Sequence, residues 1–228
     1  MVGEFAPEEL LGPLNEVEKK NAPARLYVAG HREILDFGAR VSIVGSRSAS
    51  RRGLDDAGAL SEKLASQGVV IVSGLAEGID TSAHVAAIGA EGRTVAILGT
   101  PLDEFYPAKN RDLQALIMRE HLCLSQFPAG APSQRGNFPM RNRTMALISD
   151  ATVIIEAGDK SGSLHQGWEA LRLGRPLFLL EAVVQDSSLA WPREMERYGA
   201  QVVSLTSLDL VLEFLPERTG EQASPFAL

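Results

Sequence analysis

The sequence predicts an α/β fold of the doubly wound kind, a mostly parallel sheet in a single domain, and two observations carry that expectation. Short β-branched or aliphatic runs recur along the chain as VSIV (41–44), VVIV (69–72), TVAIL (94–98), TVII (152–155), PLFLL (176–180) and QVVSL (201–205). Runs this short and continuously apolar suit strands buried on both faces. Between them lie segments with helical spacing: Ala57, Leu60 and Leu64; Ala83, Ala86, Ala87 and Ala90; Leu164, Trp168 and Leu171. Parallel neighbours need crossover helices, and the crossovers cover both faces of the sheet. The region ahead of the first run, 1–38, reads as an extension with a short helix from Glu8 to Lys20, a break at Pro23 and an edge strand over Arg25 to Val28. The core spans 39–215, and 216–228 is a tail.

Composition narrows the function. The 228 residues are 45% hydrophobic and 22% charged, ordinary for a globular chain that can bury a full core. A single cysteine, Cys123, excludes an intramolecular disulfide and a thiolate-clustered zinc site, and four scattered histidines add no metal pattern. We expect neither metal nor cofactor. The N-terminus lacks a signal-peptide pattern and no apolar stretch nears the roughly 18 residues of a membrane span, so the expected setting is the cytoplasm, away from membranes. A net charge of −7 argues against general affinity for polyanions. The distribution is uneven, however. Arg40, Arg47, Arg51 and Arg52 fall in one stretch without an acid, and Arg135, Arg141 and Arg143 in another.

In doubly wound sheets ligands gather at the carboxyl ends of the strands, so the turns there are the place to look. GSRSASRRG (45–53) opens a helix and offers backbone N–H groups to phosphate through Gly45, Ser46 and Arg47. It is neither G-x-G-x-x-G nor a Walker loop. SGLAEGID (73–80) brings Ser73 with Gly74 and Gly78, both read as permitting positive φ and close backbone approach, and Asp80 as a helix cap. EAGDKSGSLHQG (156–167) places Lys160, Ser161, Gly162 and Ser163 at another helix start. NFPMRNRTMALIS (137–149) reads as a proline-broken loop running into a short helix, with Arg141 and Arg143 on its first turn. Cations are disfavoured at that electropositive end, so an anion is expected to meet them.

GSRSAS, SGLAEGIDTSAH, TVAIL with DEFYPAKN, FPMRNR and EAGDKSGSL stand here in the order and spacing of the DprA/Smf DNA-processing family, a resemblance spanning about Arg40 to Leu180. It implies a Rossmann-like core that binds single-stranded DNA, forms a homodimer and helps load the RecA recombinase in natural transformation or recombination, with no established catalytic reaction. By position, Ser46, Arg47, Arg135, Phe138, Arg141, Asn142 and Arg143 would line the DNA groove, with Ser161 and Ser163 close to it. Gln126, His165, Gln166, Glu181 and Ala182 depart from the family pattern.

Other readings of the same residues stay open at this stage. Phe138 is a stacking platform for a base or a core residue. Arg141 or Arg143 meets phosphate or pairs with Glu156. Asp80 and His84, at i and i+4, form an acid/base couple or are a capping aspartate and a surface histidine. A phosphoribohydrolase would need an acid where Gln166 stands, so enzymatic activity is disfavoured. A nucleotide sensor would need none. Leu208, Val211, Leu212 and Leu215 form an apolar stripe that serves a dimer face or packing on the chain's own sheet.

Overall fold

The computed structural model describes residues 2–216. In chain order its elements are β1 (Gly3–Phe5), α1 (Pro7–Leu11), α2 (Glu16–Lys19), β2 (Leu26–Gly30), α3 (Ile34–Phe37), β3 (Arg40–Val44), α4 (Arg51–Ser66), β4 (Val70–Ser73), α5 (Ile79–Gly89), β5 (Thr94–Leu98) and α6 (Arg111–Glu120). There follow β6 (Leu122–Ser125), α7 (Asn137–Ile148), β7 (Ala151–Ile154), α8 (Gly162–Arg172), β8 (Leu177–Leu180), α9 (Glu181–Gln185), α10 (Trp191–Arg197), β9 (Gln201–Val203) and α11 (Asp209–Glu213).

The strands form one 9-stranded sheet in the order β1-β2-β6-β5-β4-β3-β7-β8-β9. From β6 to β9 every neighbouring pair is parallel, while β1 and β2 are antiparallel additions at the β6 side. The doubly wound, mostly parallel α/β fold and its single sheet are therefore as the apolar runs predict, and each of the six runs lies on a strand.

Alternation along the strands divides the core into two layers. Val41, Ile43 and Ile71 point to the face where Ala57, Leu60 and Leu64 of α4 and Ala83 and Ala87 of α5 pack. Val44, Val70, Val72, Val95 and Ile97 point to the other face, against Met145 and Ile148 of α7 and Met195 of α10. Each fully buried aliphatic side chain contributes about 1.5–3 kcal/mol relative to exposure. Leu208 and Val211 of the C-terminal stripe are buried in the first of these layers with Leu212 and Leu215 packed against it, so the stripe serves the chain's own sheet.

Three local expectations change. The helix expected over Glu8 to Lys20 is two, α1 and α2, because Gly12 adopts φ 77° and Pro13 follows it. The strand expected over Arg25 to Val28 is β2, but β1 covers one of its edges and β6 the other. Strand β6, LCLS, was not foreseen. Of the tail expected over 216–228, all but Pro216 lies outside the described residues. The extension is fastened to the core by Leu10, Leu26, Val28, Ile34 and Leu35, all buried in the second layer.

Candidate nucleic-acid interface

Between β3 and β7 the strand order reverses, and the chain segments leaving those neighbours separate. A crevice opens at such a switch point, beyond the carboxyl ends of the strands. Here it is a cavity of about 480 Å³. From the turn after β3 it is lined by Gly45, Ser46 and Arg47; from α7 by Phe138, Arg141 and Asn142; from the turn after β7 by Lys160, Ser161, Gly162 and Ser163. Ten of the fifteen residues expected at a phosphate site thus meet around one space.

The other five do not line it. Ser73 is buried, its hydroxyl donating to the Ile43 carbonyl at 2.7 Å. Gly78 backs the cavity wall: with φ 79°, a Cβ there would stand 2.3 Å from the Ser46 carbonyl oxygen. Gly74 lies directly beneath the Arg141 guanidinium, and any side chain would collide with it. The positive φ expected of Gly74 belongs to its neighbour Leu75, at 58°, so Gly74 is required for space. Arg135 is exposed in the loop before α7, and Arg143, on that helix, is exposed and outside the lining.

Helix α7 begins at Asn137, earlier than expected, and takes Pro139 into its first turn, where the missing N–H breaks no intrahelical bond. Arg141 therefore sits in the second turn, and what opposes its charge is burial more than the helix terminus. It is 5% exposed. Its Nη1 donates to the Ile97 carbonyl at 2.8 Å while Nε has no partner. Burial lowers the guanidinium pKa from its ordinary value, with the nearby Asp80 charge opposing the shift and Arg47 adding to it. No ion pair joins Arg141 to a carboxylate among the described residues.

Asp80 is not the cap of α5. It lies within the helix's first turn and reaches back to accept from the amides of Gly74 (3.1 Å) and Ala76 (3.3 Å). Burial raises its carboxyl pKa, against the pull of Arg141 and of those amides. His84 is no surface group either. It is fully buried, and its Nδ1 lies 2.6 Å from the Thr94 hydroxyl. That hydroxyl already donates to the Ile71 carbonyl, so Nδ1 carries the proton in this bond. The acid/base couple is absent, since each partner is held by other groups.

Glu156 accepts from the Ser50 amide and hydroxyl at the start of α4, not from Arg141 or Arg143. Arg143 pairs instead with Glu169 at 3.1 Å, a carboxylate shared with Arg172. Arg47 and Lys160 have no ion-pair partner among the described residues. Arg47 lies over the Phe138 ring, 5.3 Å from its centroid, and the ring rests against Gly99, where a Cβ would approach it to 2.6 Å. The core reading of Phe138 is thus half right: one face is packed and the ring still borders the cavity.

The turns contribute less free backbone than their composition suggests. The Ser46 amide donates to the Glu156 carbonyl at 2.7 Å, and Ser161 caps the Ser163 amide at 3.3 Å. The Ser161 and Ser163 hydroxyls, 2.5 Å apart, and the start of α8 border the cavity. Asn142 donates to the Gly162 carbonyl at 2.9 Å, tying α7 to α8. Asp80, Ser48, Pro139, Met145, His165 and Gln166 also line the space but were not assigned to it from sequence. Their neighbours in the flagged turns were the available signal.

An open α/β sheet with a cationic crevice at its switch point, one aromatic ring beside the cations, defines an anion-accepting binding protein of the doubly wound class. The family model for DNA recombination-mediator protein A matches residues 7–216, and the chain belongs to that family. The DNA processing protein DprA of Bacillus subtilis is 33% identical over 204 residues, 90% of this chain and 68% of the relative. The X-ray structure of DprA from Streptococcus pneumoniae superposes with a TM-score of 0.81 at 33% identity, covering 94% of this chain and 75% of that one. A structure of DNA processing protein A from Helicobacter pylori, reported for its single-stranded DNA binding mode, gives 0.80 at 26% identity and covers 95% and 98%.

Proposed function

We propose that this protein binds single-stranded DNA as a recombination mediator, with phosphates held at the carboxyl edge of the sheet by Arg47, Arg141 and Lys160 and a base stacked on Phe138. One observation carries the reading: three cations that form no ion pair among the described residues border a single crevice beside an aromatic ring. A buried charge that forms no ion pair and is only partly offset by its neighbour Asp80 is costly, and an anionic ligand supplies a direct partner. Phosphate contacts combined with an aromatic face are the recurring means of holding single strands, each stacked base contributing about 1–3 kcal/mol. By its family resemblance we also read the protein as a cytoplasmic homodimer with RecA as a partner. No helix among the described residues is long and apolar enough to cross a membrane.

A second reading has Asp80 behind it. Among the described residues it is the one carboxylate bordering the cavity, and burial raises its pKa, as a general acid acting on a mononucleotide would require. Its two amide bonds and the arginine beside it favour an anchoring role instead.

Titration of fluorescent oligothymidine and of AMP across a salt series separates the two. The single-strand reading predicts affinity for the oligonucleotide that falls steeply and linearly in log salt, and a slope smaller by about one in Arg47→Ala. Tight AMP binding with little salt dependence, or release of the base from AMP, contradicts it.

A further inference from the structure

Beside the main cavity lies a second one of about 250 Å³, and Arg47, Ser48 and Ala76 border both. The two are therefore neighbours along one rim. What distinguishes the smaller is Tyr106, from the turn after β5, with Pro107 next to it and Glu77 also in the lining. Tyr106 is 43% exposed, so much of the ring stays open to solvent. Its centroid stands 5.5 Å from that of Phe138 at an interplanar angle of 47°. Rings already in contact leave no room for a base between them, so each is left with the part that borders a cavity: Phe138 the large one, Tyr106 the small one.

We propose that Tyr106 is a second base-stacking position, taking the nucleotide next to the one on Phe138, with the phosphate between them on Arg47. The proposal rests on the single-strand reading above and extends it by one residue of the strand. The occupant is a base and not a phosphate because the lining that holds Tyr106 also carries Glu77, whose carboxylate a phosphate would avoid. Lys109, 3.5 Å from Glu77, offsets part of that charge from outside the lining. Arg47 over the Phe138 ring, and Tyr106 tilted beside that ring, then alternate cation and aromatic surface along the rim, as single-strand tracks require.

The test uses oligothymidine carrying one 2-aminopurine, whose fluorescence is quenched by stacking, placed in turn at each position of the strand. Wild type and Tyr106→Phe are expected to bind alike, with quenching at two adjacent positions. Tyr106→Ala is expected to lose quenching at one of them and to bind roughly five- to hundred-fold more weakly, with the log-salt slope unchanged because no phosphate contact is removed. Normal wild-type binding with unchanged affinity and quenching in Tyr106→Ala overturns the second position alone. A slope that falls with the affinity also overturns it, since Tyr106 would then be positioning Arg47. A wild-type protein that binds no oligonucleotide at any salt overturns the single-strand reading itself, and the second position with it.

Discussion

Two buried arginines, Arg40 and Arg141, are both 5% exposed, yet the two ends of the sheet treat them in opposite ways. Arg40 opens β3 at the end where the strands begin. Asp150 meets it there with bonds of 3.4 Å to Nε and 3.3 Å to Nη2, and also accepts from the Arg40 backbone amide. Arg175 stands 3.6 Å from the same carboxylate and pairs with Glu18 of α2 at 2.8 Å, so the network ties the N-terminal extension to the core. At the end where the strands finish, Arg141 bonds to a carbonyl and, among the described residues, forms no ion pair, with Asp80 acting on it only from nearby. The contrast teaches what a buried charge is for: matched with its counterion it fixes the fold, and left unmatched beside an open crevice it is available to a ligand.

The comparison is broken most severely at the matched end. Asp150→Ala leaves Arg40 buried without its counterion, and we expect a loss of about 3–5 kcal/mol in urea denaturation. An affinity for oligothymidine that persists wherever the variant is folded keeps the two ends distinct.

His84 sharpens the comparison by pH. Its partner Thr94 opens β5, and burial, reinforced by the His121 and Arg141 charges, lowers the imidazole pKa from 6.5 to about 3. The unfolded chain takes up this proton near pH 6.5 and the folded one only near pH 3, so within that window the unfolded state binds more protons. Stability should therefore fall as pH drops below about 6.5, by an amount on the order of a few kcal/mol at pH 4. In His84→Leu the same denaturation series should be flatter between pH 6.5 and 4. An equally steep fall in the variant assigns the acid sensitivity elsewhere.

Arg143 gives the smallest effect. Held by Glu169 and outside the cavity, it should lose less than about threefold in affinity on Arg143→Ala, against the larger loss expected of Arg47→Ala. A loss equal to that of Arg47 would return Arg143 to the DNA path.

The sequence displayed these differences unevenly. Apolar runs made the parallel strands readable because burial on both faces leaves few polar positions to interrupt them. LCLS escaped because it is short, contains cysteine and serine, and follows a helix directly. The basic stretches were visible as charge, but which arginine was free was not. Arg143 and Glu169 lie 26 residues apart and Arg40 and Asp150 are separated by 110, and such ion pairs have no local signature. Asp80 misled for the complementary reason. An aspartate at a helix start is usually a cap, and only the folded turn shows it reaching back to Gly74 and Ala76.

The most direct test of the account is Arg141→Met, followed in parallel by urea denaturation and oligothymidine titration. If the charge is kept for a ligand, removing it lowers affinity at least about tenfold while stability changes little, because the relief of a desolvated cation that makes no ion pair offsets what Asp80 and the Ile97 carbonyl lose. Unchanged affinity together with a loss of several kcal/mol in stability would show that Arg141, like Arg40, belongs to the fold alone.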